Sequence, residues 1–190
     1  MKFLLTAFIL LSLMIAPSWA KTHQEQDQAA LNAIYRQYAT AFAALDAEQL
    51  KSVYAKNATY VPEQPSIGII KGLDEVLALY QKFFDRVKKR RATLEVDFRV
   101  VDRQRHGNEV TDICYYMVRF HPPKDTEEPI SEFAGKLVMV LKKADQTTNQ
   151  WQVVLDVSNR AEPKLYYDAT PKPNWYYGEQ FSPIKAPINP

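Results

Sequence analysis

The stretch Leu73-Asp-Glu-Val-Leu-Ala-Leu-Tyr-Gln-Lys-Phe-Phe-Asp-Arg-Val-Lys-Lys-Arg-Arg-Ala-Thr-Leu-Glu-Val-Asp-Phe-Arg-Val100 contains a change of hydrophobic period, and that change decides the fold class. Up to Val87 the apolar residues Leu73, Val76, Leu77, Tyr80, Phe83, Phe84 and Val87 recur at three- and four-residue steps, which gathers them on one face of a helix from about 73 to 89. Burying such side chains at ~1.5–3 kcal/mol each is a large favourable term before entropy is subtracted, so this helix must cover a core. From Thr93 the step becomes two. Leu94, Val96, Phe98 and Val100 alternate with Thr93, Glu95, Asp97 and Arg99, the pattern of a strand with one face in water.

Upstream, Leu31, Ile34, Tyr35, Tyr38, Phe42 and Leu45 predict a first helix over 24–45. Asp46 and Gln49 resemble a capping box that opens a short helix over 47–55, burying Leu50, Val53 and Tyr54. Thr59-Tyr60-Val61 reads as a short strand, ended by Pro62 and Pro65. Downstream, a turn at His106-Gly-Asn108 leads to strands over 110–120, 130–142 and 151–158. Four long strands with short links predict an antiparallel meander, and helices followed by strands predict an α+β domain with the helices on one face of the sheet.

The 190 residues carry 24 Lys+Arg against 22 Asp+Glu, with five glycines and one cysteine. This excludes a disulfide-stapled mini-domain, and the near-neutral balance gives no general attraction to nucleic acid. Arg86, Lys88, Lys89, Arg90 and Arg91 suit the negative end of a helix dipole and read as a solvated helix end. Lys2, the apolar run Phe3 to Ile15, and small Ser18 and Ala20 ahead of Lys21 read as a cleaved secretory signal over 1–20, too short for the ~20 residues of a bilayer span. The expected location is therefore periplasmic or secreted, with no membrane span after cleavage. Cys114, in the apolar stretch 113–118, reads as a buried structural thiol. Residues 162–190 hold six of the twelve prolines together with Tyr166, Tyr167, Trp175, Tyr176, Tyr177 and Phe181. Prolines oppose a regular element and aromatics oppose a solvated tail, so an extended arm laid over the domain or over a partner subunit is expected, with a disordered tail as the other possibility. The organisation is thus a leader over 1–20, a domain over 21–161 and an arm over 162–190.

Two stretches resemble a known family. Tyr38-Ala-Thr-Ala-Phe-Ala-Ala-Leu-Asp-Ala-Glu-Gln-Leu-Lys-Ser-Val-Tyr-Ala-Lys-Asn-Ala-Thr59 is similar to the helix, aspartate turn, short helix and strand entry of the nuclear transport factor 2-like superfamily, in its SnoaL-like, ketosteroid-isomerase-like group. Gly135-Lys-Leu-Val-Met-Val-Leu-Lys-Lys143 with Trp151-Gln-Val-Val-Leu-Asp156 looks like its last hairpin. The resemblance implies a conical α+β fold: a curved antiparallel sheet of about four long strands and a short one, wrapped around three N-terminal helices, with an apolar pocket at the open end. It also implies frequent homodimers and, in its enzymes, a carboxylate base beside an oxyanion hole of a tyrosine and a protonated acid. By ungapped counting Tyr38 falls where the isomerases place their tyrosine, the base position is Pro62, and the acid falls near Leu137. Ketosteroid isomerase activity is therefore not expected.

Glu63, Asp112 and Asp156 are the candidate substitutes, because a carboxylate in an apolar cone has a raised pKa suited to acid or base work. Tyr54, Tyr60, Tyr80, Phe84 and Tyr116 are candidate pocket lining, although aromatic residues at helical spacing are core first. His23, His106 and His121 are too scattered for a metal site, and no phosphate loop, dinucleotide fingerprint or nucleophile elbow is present, so neither metal nor cofactor is expected. Two functions compete. One is binding of a small, mostly apolar molecule, with or without isomerase-, cyclase- or hydratase-like turnover; the other is a non-catalytic interaction or dimerisation module whose cone is filled by side chains.

Overall fold

A computed structural model describes residues 23–145 and 149–184; the expected leader over 1–20 lies outside the described residues. The chain runs through α1 (His23–Ala44), a 3-10 helix (Ala47–Ser52), β1 (Tyr54–Val61), β2 (Ile70–Lys71), α2 (Leu73–Lys89), β3 (Thr93–His106), β4 (Glu109–His121), β5 (Ser131–Lys143), β6 (Trp151–Ala161) and α3 (Pro163–Tyr167). The strands form one unclosed sheet in the order β2-β1-β6-β5-β4-β3. The four long strands make the expected antiparallel meander. The sheet as a whole is mixed, because β1 pairs with β6 in parallel and β2 returns antiparallel to β1.

The sheet is bent around the helices. β1 and β3 stand four strand positions apart, about 19 Å along a flat sheet at ~4.8 Å per step. Yet α2 packs against both, which a helix ~10 Å wide does only if the sheet curls toward it. The seven residues of the α2 apolar stripe, Leu73, Val76, Leu77, Tyr80, Phe83, Phe84 and Val87, join the core enclosed by this curve.

Three local departures from the sequence reading position the site. The second helix is a shorter 3-10 segment, capped by Asp46 through Glu48 N at 3.0 Å, and Tyr54 already belongs to β1. In β3 a register shift between Val100 and Asp102 changes the alternation, so Arg103 rather than Asp102 turns inward, opposite Asp112. In β6 a shift falls where Val140 pairs with Leu155 and Leu141 with Val153. The extra residue, Val154, places Asp156 and Ser158 on the inner face that Trp151 and Val153 began, whereas unbroken alternation puts Asp156 on the opposite face from those two.

The outer face of β3 is not in water. Asp97 is 1% exposed and Arg99 6%, because residues 162–184 fold back over β3, β4 and β5. The Asp97 carboxylate accepts from Phe98 N, Gln180 N and the hydroxyls of Tyr166 and Tyr176. Arg99 donates to the carbonyls of Tyr166, Tyr167 and Gly178, between the rings of Tyr166 and Tyr177. Val100 N to Tyr176 O and Gly178 N to Phe98 O then cover the free edge of β3. The prolines do not forbid a regular element here: Pro163 stands in the first turn of α3, where a missing N–H costs nothing.

Candidate functional site

A cavity of about 200 Å³ opens between the two helices and the inner face of the sheet. Its walls are apolar, from Phe42, Leu79, Phe83, Val96, Phe98, Val118, Phe133 and Leu137. Polar groups gather at two ends.

At the deep end α1, β1, α2 and β6 bring Tyr38, Tyr54, Tyr80 and Asp156 together. Tyr38 OH donates to Asp156 Oδ2 at 3.0 Å and Tyr54 OH donates to the same oxygen at 2.6 Å. The Tyr38 and Tyr54 hydroxyls also touch each other, and Tyr80 OH lies 3.3 Å and 3.2 Å from them. Each phenol has one proton. Those of Tyr38 and Tyr54 are committed to Asp156, so the proton of Tyr80 is the one with a choice of acceptor. Asp156 Oδ1 is buried and has no hydrogen-bond partner among the described residues. Burial, partly offset by the bond from Tyr38, pushes the Asp156 carboxyl up to about 7. The same burial, with the Asp156 charge adding to it, raises Tyr38 well above the ordinary phenol. Tyr60 is raised to about 12, and its ring stacks on that of Tyr80.

At the mouth Glu63 lines the cavity with its side chain 7% exposed. Tyr116 OH donates to Glu63 Oε2 at 2.6 Å, and Arg160 Nε lies 2.9 Å from Glu63 Oε1. Tyr116 reaches this position because Gly135 faces it across the β4–β5 pair: a Cβ at 135 would stand 2.2–2.3 Å from the phenol. Arg160 lies over Phe133, and Arg86 over Phe83.

Of the candidates read from sequence, Tyr38, Tyr60, Glu63, Tyr80 and Tyr116 line the cavity. Tyr54 and Asp156 stand behind Tyr38. Phe84 does not reach the cavity; it is core, edge-on to Phe42 at 5.1 Å. Asp112 is elsewhere, fully buried, with Arg103 Nε at 2.6 Å, Arg103 Nη2 at 2.5 Å and Tyr35 OH at 2.6 Å. This bidentate pair satisfies Asp112 and keeps it from the cavity. Pro62, at the isomerase base position, is buried and carries no proton donor or acceptor on its side chain, while Leu137 contributes only apolar wall.

Sequence reading missed Arg86, Ser158 and Arg160 as lining residues. For Arg86 the signal was present: it follows Leu79 and Phe83 at helical spacing, on the face that meets the cavity. Ser158 and Arg160 required the β6 bulge and the extension of that strand to Ala161.

Among the described residues no group of three or more His, Cys, Asp or Glu side chains is placed to hold a metal ion, and no helix is long and apolar enough to cross a membrane.

No curated protein matches the sequence. Solved structures match the fold at low identity. An NTF2-like protein with a cystatin-like fold from Novosphingobium aromaticivorans has a TM-score of 0.58 and 14% identity, over 73% of this chain and 84% of that one. A ketosteroid isomerase-like protein from Erwinia carotovora atroseptica has a TM-score of 0.56 and 16% identity, over 72% and 98%. The S. rosetta CaMKII hub has a TM-score of 0.53 and 17% identity, over 70% and 95%. A family model described as the SnoaL-like domain matches residues 35–145. With that match across more than half its length, and with a fold similar to that of NTF2-like proteins, the chain belongs to the SnoaL-like family.

Proposed function

We propose that the protein binds a small, mostly apolar molecule in the cavity, with a carbonyl or hydroxyl oxygen of that molecule against Tyr38 and Tyr80. The observation that carries this reading is the pairing of an open apolar cavity with a cluster of hydroxyls that donate to one buried carboxyl, Asp156. The volume, below the ~300–1,000 Å³ of drug-sized pockets, suits a compact ligand. The competing interaction-module reading needs a filled cone, and the cavity counts against it.

Asp156 also supports acid/base turnover. It does not line the cavity, so it acts through a phenol: protonated, it favours donation from Tyr38 to a ligand oxygen; ionised, it takes up the proton that oxygen releases. Asp156 is thus a positioning and proton-holding residue, and Tyr38 and Tyr80 are the groups that touch the ligand.

Native mass spectrometry of protein purified from its own host tests the reading. The expected result is a co-purifying small molecule bound by the wild type and absent from Leu137→Trp, which fills the cavity. Wild-type protein with no bound molecule, and with no affinity for small cyclic ketones or alcohols, would overturn it.

We further propose that the protein works outside the cytoplasm as a homodimer. The leader-like residues 1–20 support the location. A row of half-buried apolar residues across the outer sheet face, Ile113, Val138 and Val157 with Val140 and Leu155 beside them, supports a self-complementary contact.

A further inference from the structure

The ionisable groups lining the cavity are unbalanced. Those that carry charge are Glu63 against Arg86 and Arg160, the lining tyrosines being neutral, so the lining carries an excess positive charge. Glu63 is already engaged at both oxygens, by Tyr116 and by Arg160. It offers nothing to a cationic ligand. Arg160 has only its Nε beside Glu63, and its side chain is 56% exposed. Arg86 is exposed and has no carboxylate or hydrogen-bond partner for its guanidinium among the described residues. Both guanidiniums sit against phenyl rings of the cavity wall, Phe83 for Arg86 and Phe133 for Arg160. That contact limits their freedom and leaves their planar N–H edges for an anion. Because both are solvent-accessible while Tyr38 is 3% exposed and Asp156 2%, the cations mark the mouth and the hydroxyl cluster marks the deep end.

From this arrangement, and resting on the binding function proposed above, we infer that the ligand is a small organic acid: an apolar body in the cavity, its carboxylate at the mouth on Arg86 and Arg160, and a second oxygen on Tyr38 and Tyr80. The polarity of the two ends fixes the orientation. A carboxylate pushed to the deep end would meet buried Asp156, a like charge in a site of low dielectric, whereas at the mouth it meets water and two cations that outnumber the one carboxylate there, Glu63, already paired with Arg160. A planar carboxylate also matches the guanidinium fork, which a single neutral oxygen does not.

Isothermal titration of the purified full-length protein with matched probes tests this. 3-Phenylpropanoate and octanoate are each compared with their own amide, which has the same body without the charge. The acids are expected to bind at least about tenfold more tightly than the amides, and more weakly as salt rises. Arg86→Met should remove most of that preference and Arg86→Lys should restore part of it, while circular dichroism shows both variants folded. Equal affinity for acids and amides, or an Arg86→Met variant that keeps the full preference, would overturn the acid assignment while leaving the pocket as a binding site. Binding of neither acids nor amides at millimolar concentration would overturn the acid assignment together with the function on which it rests.

Discussion

Asp156 ties its burial to a pH dependence whose sign can be worked out. In the unfolded chain its carboxyl has the ordinary value of 3.8, and in the folded protein burial raises it to about 7. Between those values the folded state holds more protons than the unfolded one, so stability falls as pH rises through this window, and the penalty is fully present above about pH 7. The shift corresponds to something on the order of 4 kcal/mol for a group this buried. Asp156→Asn keeps an oxygen that accepts from Tyr38 and Tyr54 but removes the titration. Urea unfolding at about pH 5 and about pH 8 should therefore show a marked loss for the wild type and a much smaller one for the variant. A second expectation concerns Gly135. A side chain there collides with the Tyr116 ring, so Gly135→Val should move Tyr116 off Glu63 and destabilise the fold by about 1–3 kcal/mol, as measured by denaturant unfolding.

At the scale of elements, the arm and β3 depend on each other. Apart from the bond from Phe98 N to Asp97, the partners of buried Asp97 and Arg99 all come from 166–180, and the Asp97 carboxylate packs where a side chain at Gly178 would have to go. Asp97→Ala leaves the Tyr166 and Tyr176 hydroxyls and Gln180 N without their acceptor. It should loosen the arm before the domain: trypsin is expected to cut after Lys164 many times faster in the variant, with a loss of about 2–4 kcal/mol in global stability. Unchanged cleavage would show that the arm is held by its aromatic contacts alone. β6 is the other decisive element. Its bulge delivers both the deep carboxyl, Asp156, and the mouth cation, Arg160, to the inner face, so one extra residue places both ends of the site.

For the whole molecule, two expectations follow from surface and leader. Val138→Glu puts a charge in the middle of the outer-face apolar row and should convert the proposed dimer to monomer in analytical ultracentrifugation without changing the cavity. If the proposed leader over 1–20 is removed on export, protein isolated from its host should have the intact mass of a chain beginning at Lys21.

From its sequence alone this chain determined what depends on local periodicity: the helix over 73–89, the switch to strands, the meander, and the shared inward stripe of Tyr38 and Phe42. Those features are legible because helix and strand repeats are imposed by backbone geometry at each residue. Tertiary structure alone decided which way Asp156 points, that Asp112 is spent on Arg103 rather than open to the cavity, and that Asp97 and Arg99 are dry. Each of these turns on a single inserted residue in a ladder or on a segment tens of residues away. A bulge reverses the side of every later residue without changing the composition of the strand, and a returning arm takes a face out of water without leaving a trace in the alternation beneath it.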